Sequence, residues 1–171
     1  MWGAPVADAV IVLEHRLSTE SSSETSPVSS ALPSLQLPLT AEQRTVLRGR
    51  RRSSCGRDLL LQLPREGPLQ PGDQLMDRSR TLQVSVVAAP EPLLRVQATT
   101  ALELLQAAYH LGNRHVPLEL HPEELWLLKD SVLEAMLRSR GLKVSSCDRP
   151  FVPEGGAYGG GHHHAHEHAS A

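Results

Sequence analysis

Two stretches of the chain concentrate side chains that could hold a metal ion. The first is "GAYGGGHHHAHEHASA", residues 156–171, which carries His162, His163, His164, His166 and His168, five of the nine histidines in 171 residues. Neutral imidazole suits Ni, Cu, Zn and Co, and a Gly-rich leash can bring several rings to one ion without a preformed cavity. Alternation of the HxHxH kind also sets successive rings on one side of an extended backbone. A purification tag is usually an unbroken run, whereas Ala165 and Glu167 interrupt this one and it grows out of "PEGGAY". The second stretch is "YHLGNRHVPLEL", residues 109–120, where His115 follows Gly112, Asn113 and Arg114. A lone histidine at a helix-to-strand turn is more often a hydrogen-bonded structural residue than a ligand, so pattern alone leaves its role open.

Other chemistry is poorly supplied. Cys55 and Cys147 are the two cysteines, far apart and in no CxxC pairing, which offers neither a disulfide framework nor a thiolate zinc site and fits a reducing compartment. Cys147, isolated in a strand-like run, reads as a small buried hydrophobe. A zinc hydrolase would need three ligands and a general base, often as HExxH, and that motif is missing. The cluster "RGRRR", residues 48–52, reads as one solvated face of a strand pair; it could instead face an acidic partner protein. With 17 basic and 19 acidic residues the formal net charge is −2, so no general field holds nucleic acid or a membrane surface. His110 reads as structural at a helix end, and His15 and His121 as surface imidazoles without partners at strand ends.

The elements that must position these residues fall into two textures. The run "APVADAVIVL" lacks the basic region of a signal peptide and is broken by Asp8, so it reads as a strand. No segment approaches the roughly 20 apolar residues that span a bilayer, and a cytosolic protein is expected. Residues 18–34 are Ser-rich with two prolines and read as a mobile excursion. "LQLPLT", "RTVLRGR", "DLLLQLP" and "TLQVSVVAA" are short β-type runs separated by Pro and Gly. At 3% aromatic residues the core must be aliphatic.

From Leu93 the pattern changes. "LLRVQA" is strand-like; Thr99 or Thr100 can cap a helix with Glu103 near its third position; "ALELLQAAYHL" has helical apolar spacing, and Gly112 is expected to end it in a left-handed turn. "VPLEL" and "ELWLLK" read as strands, Asp130 opens the helix "SVLEAMLRSR" closed by Gly141, and "LKVSSCDR" is a last strand. The expected class is α+β: a small all-β domain over residues 1–90, a ferredoxin-like βαββαβ unit over 91–150, and a disordered His-rich tail over 151–171.

"HLGNRHVPLEL" resembles the GNRH motif of the UreE family of urease accessory proteins, and "FVPEGGAY" followed by histidines resembles that family's C-terminus. "GRDLLLQLP" with "LQPGDQL" is similar to its N-terminal β domain, which is peptide-binding-like. The resemblance implies a nickel metallochaperone rather than an enzyme, working as a cytoplasmic homodimer. It implies that His115 sits at the dimer interface, where the pair from two subunits binds one Ni(II), and that His162, His163, His164, His166 and His168 complete or feed that site. Zn(II) or Cu(II) are further ions such a site takes in vitro. The implied receivers are the urease maturation GTPase (UreG-type) and, through it, apo-urease. Some family members carry extra histidines before the second helix, where this chain has Lys129, Asp130 and Ser131. The alternative is a nickel or zinc buffer acting through the tail alone, which would not need the GNRH turn.

Overall fold

A computed structural model describes residues 10–17 and 33–155. The elements run β1 (Ile11–Leu17), β2 (Ser34–Leu39), α1 (Ala41–Thr45), β3 (Arg48–Arg52), β4 (Asp58–Gln62), β5 (Gln74–Asp77) and β6 (Gln83–Ala88). They continue through β7 (Pro90–Gln97), α2 (Ala101–Gly112), β8 (Glu119–Leu120), β9 (Glu124–Leu128), α3 (Ser131–Ser139) and β10 (Lys143–Pro150). The excursion expected at residues 18–34 lies outside the described residues except at its end, where Ser34 opens β2.

The first six strands form one sheet in the order β2-β6-β5-β1-β4-β3, with β1/β4 and β2/β6 parallel and the other pairs antiparallel. Alternating leucines and valines put Leu13, Leu37, Leu39, Leu59, Leu61, Leu75, Val84 and Val86 into one aliphatic core. "RTVLRGR" is not one β run. Thr40 and Gln43 form a capping box that starts α1, and the strand begins only at Arg48. Arg16 is the polar anchor of this sheet: it bonds Asp73 at 2.8 Å with both side chains almost fully buried, and reaches the carbonyls of Gly67 and Pro68.

The second sheet has the order β10-β7-β9-β8 and is antiparallel throughout, with element order βαββαβ from β7 to β10. Thr100 caps α2 through a capping box with Glu103, and Asp130 caps α3 by accepting from the amides of Val132 and Leu133. α2 turns Leu104, Ala107, Ala108 and Leu111 onto the sheet, where they meet Leu94, Val96, Leu125 and Leu127. "VPLEL" yields a strand of only two residues, because Pro117 has no amide to donate to a ladder. Cys147 is exposed, contrary to expectation: its β10 position pairs with Leu93, whose side chain lies outside the cluster that α2 and α3 cover.

The two sheets meet through α1. The amide of Ala41 donates to the buried Glu91 at 2.7 Å, and Arg44, 4% exposed, donates to the carbonyls of Leu39 and Phe151. Burial pulls the Arg44 guanidinium below its usual pKa, while Glu91 opposes the shift. Phe151, Trp126 and Leu93 pack beside Ala41 at this joint.

Candidate metal centre

His115 stands at the end of α2, and the local bonding shows how it is held. The amide of His115 donates to Gly112 at 2.8 Å and the amide of Val116 donates to Leu111 at 3.2 Å. This nested pair is a Schellman termination in which His115 takes the left-handed position, with φ of 56°. Gly112 was the expected left-handed residue. It instead lies in the last helical turn, because Leu111 and Val116 both pack into the apolar cluster and draw the chain on for three more residues before it reverses. α3 ends the same way: Gly141 donates to Arg138 at 3.0 Å, Leu142 to Leu137 at 3.3 Å, and Gly141 has φ of 82°. The GNRH turn thus places an imidazole where its sister turn uses glycine. A side chain in that conformation costs roughly 1–2 kcal/mol relative to glycine. Arg114 steadies the turn by donating to the carbonyl of His110 at 2.9 Å, and His115 itself is exposed.

The second fixed point is the chain segment after β10. Phe151 is fully buried, the amide of Val152 donates to Glu119 at 2.9 Å, and the amide of Glu154 donates to the carbonyl of Leu118 at 2.7 Å. No fold was expected beyond Pro150, yet residues 151–154 are pinned against β8. The apolar Phe151 between Pro150 and Pro153 was the available sign.

Glu119 organises this pinning. It is 8% exposed and accepts from Arg149 at 2.7 Å, from His121 Nε2 at 2.9 Å and from the Val152 amide. Burial alone would raise its pKa; the Val152 amide, His121 and Arg149 outweigh burial and hold the carboxyl below its ordinary range. Arg149 also lies over the Trp126 ring at 4.4 Å. His121 therefore has a partner, where the sequence suggested a solvated ring. Its i,i+2 spacing to Glu119 on an extended chain was a legible signal, since it places both on one side of the backbone.

α2 carries a second apolar stripe. Leu102, Leu105 and Tyr109 are 64%, 67% and 65% exposed and, at 100° per residue, share one side of the helix away from Leu104, Ala107 and Leu111. Beside it a groove of about 300 Å³ runs between α2 and the β8–β9 hairpin, lined by Leu104, Leu105, Ala108, Leu120 and Leu125. His110, on the same helix, is half-buried with its ring edge-on to Tyr109. Among the described residues no three His, Cys, Asp or Glu side chains converge to hold an ion. His162, His163, His164, His166 and His168 lie outside the described residues. Among the described residues no helix is long and apolar enough to cross a membrane.

The chain as a whole is similar to known sequences. The family model described as UreE urease accessory protein, C-terminal domain, matches residues 91–171. A urease accessory protein UreE of Synechococcus sp. (strain WH7805) is 73% identical over 155 residues, covering 91% of this chain and 86% of the relative. The protein of that name from Parasynechococcus marenigrum (strain WH8102) is 58% identical over 158 residues, covering 92% and 99%. The one from Thermosynechococcus vestitus is 54% identical over 132 residues, covering 77% and 88%. Identity at this level over nearly the full length of both chains is far beyond what a shared fold alone produces, and this chain belongs to the UreE urease accessory protein family.

Proposed function

We propose that the chain is a nickel metallochaperone for urease maturation that works as a homodimer. The carrying observation is His115, an exposed imidazole held at a left-handed position that favours glycine. Strain of this kind is tolerated where a side chain is needed in place. One ring from each subunit gives two fixed ligands to a single Ni(II), and the exposed stripe of Leu102, Leu105 and Tyr109 on the same helix supplies the apolar surface for a twofold contact.

The remaining ligands come from His162, His163, His164, His166 and His168. The bond from Glu154 to Leu118 roots the tail three residues from His115, a span of at most roughly 10 Å, and the seven residue steps from Gly155 to His162 reach at most about 25 Å. Two imidazoles from the turn completed by exchangeable ones from the tail make a site that selects the ion yet releases it ligand by ligand. Receivers of the ion are the urease maturation GTPase (UreG-type) and apo-urease. In this reading residues 1–90 form the N-terminal β domain, 91–150 a ferredoxin-like metal-binding and dimerisation domain, supported by the βαββαβ order and the antiparallel order β10-β7-β9-β8, and 151–171 the tail.

Calorimetric nickel titration tests the reading. One tight ion per dimer is expected, lost in His115→Ala with more than a tenfold fall in tightest-site affinity. If His115→Ala keeps one tight ion per dimer, the tail binds alone and the protein is a nickel or zinc buffer.

A further inference from the structure

The metal reading leaves the arginine cluster of the first sheet unused. We infer that the edge strand β3 is a docking site for an extended acidic segment of a partner protein, which adds to the sheet with carboxylates at alternate positions opposite Arg48, Arg50 and Arg52.

The register sets this surface. Ser53 donates to Arg57 at 2.9 Å and Leu63 donates to Leu47 at 3.2 Å, marking the two ends of the β3–β4 ladder. Between them an antiparallel ladder alternates, so residues 49 and 51 bond to β4 while the amides of Arg48, Arg50 and Arg52 point away from it. β3 is the end strand, hence these amides face an open edge. The same alternation puts the three side chains on one face, about 6.8 Å apart, which is the side-chain repeat of any added strand. All three are exposed, and among the described residues the carboxylate paired with them is Asp58, 3.9 Å from Arg52 with both groups well solvated. Opposite charges directly across two strands stabilise the pairing.

The other edge of the sheet makes the site a groove. β2 and β3 approach where Ser54 donates to the carbonyl of Gln36 at 2.9 Å, and a groove of about 410 Å³ is lined by Pro38, Leu39 and Gln43 on one side and by Arg50, Arg51 and Arg52 on the other. Pro38 has no amide, so β2 offers the groove no donor there and an occupant must pair with β3. Arg51 covers the edge meanwhile: its guanidinium donates to the carbonyls of Arg50 at 2.8 Å and Val46 at 3.3 Å. Such a cover keeps an edge from self-association and can be displaced by a strand that offers amides instead.

A polypeptide is favoured over nucleic acid because the site combines backbone donors with charges in a strand's own period, on a chain of formal net charge −2. Fluorescence anisotropy of the full chain with a labelled peptide, acetyl-(Glu-Thr)4-amide, tests it in chelator, so the result does not depend on nickel. Saturable binding is expected, weakened at least tenfold in the triple variant Arg48→Gln, Arg50→Gln, Arg52→Gln and not matched by a peptide with the same residues in two blocks, Glu4Thr4. Unchanged circular dichroism of the variant verifies its fold. Equal binding of the block peptide, wild-type affinity in the triple variant, or tighter binding of oligo-dT than of the alternating peptide each overturns the inference.

Discussion

The amide of Glu154 and the carbonyl of Leu118 are joined by a hydrogen bond of 2.7 Å, which fastens the end of the described chain beside the strand that follows the GNRH turn. The bond divides the C-terminus into an anchored part, residues 151–154, and the histidine-bearing part beyond it.

Ending the chain at two places separates those parts. A chain stopped after Gly155 should keep the melting temperature and dimer state of the full protein while binding fewer nickel ions. One stopped at Pro150 loses the fully buried Phe151 and should be destabilised by about 3–5 kcal/mol. Thermal melts and metal counting on both forms check this; equal melting temperatures would mean that residues 151–154 contribute no packing.

At His115 the comparison of two small residues reads out strain. His115→Gly should be at least as stable as His115→Ala and up to about 1 kcal/mol more so, because glycine enters the left-handed region without a Cβ clash. Both should lose the tightest nickel. Urea midpoints that rank alanine above glycine would contradict the strained turn.

Glu119 gives the fold an acid dependence. Its folded-state pKa lies below its unfolded value of about 4.3, so the ionised form contributes stability above that pH and the contribution is lost as pH falls through the folded value. Glu119→Gln should cost about 1–2 kcal/mol near neutrality. The gap in melting temperature between wild type and variant should narrow below pH ~4. A gap that widens in acid would mean that burial, not the three bonds, dominates at Glu119.

The two ion pairs of the first sheet should differ sharply. Asp73→Ala leaves Arg16 buried without its partner and should cost about 3–5 kcal/mol. Asp58→Ala removes a solvated pair 3.9 Å apart and should change stability by less than about 0.5 kcal/mol. Denaturant unfolding of the two variants makes the comparison.

For the twofold contact, Leu105→Glu should yield a folded monomer by light scattering, since the residue is 67% exposed in the single chain. A dimer of unchanged dissociation constant would remove the α2 stripe from the interface.

What the sequence by itself determined is local. Helix caps at Thr100, one of the two threonines the pattern allowed, and at Asp130, the glycine stop at Gly141 and the aliphatic alternation of β4 and β6 depend on interactions within a few residues, and each was legible in the pattern. The GNRH turn and the histidine tail were legible as residue types for the same reason. Tertiary structure decided what depends on distant neighbours. "ALELLQAAYHL" holds two apolar stripes, and only the sheet beneath shows that Leu104, Ala107 and Leu111 are core while Leu102, Leu105 and Tyr109 are surface. Arg16 and Asp73, 57 positions apart in the numbering, and Glu119 and Arg149, 30 apart, show no local signature of pairing. The left-handed residue after α2 was misplaced from sequence because glycine's preference at Gly112 is worth about 1 kcal/mol, less than burying Leu111 and Val116 together, and that packing exists only once the sheet has formed.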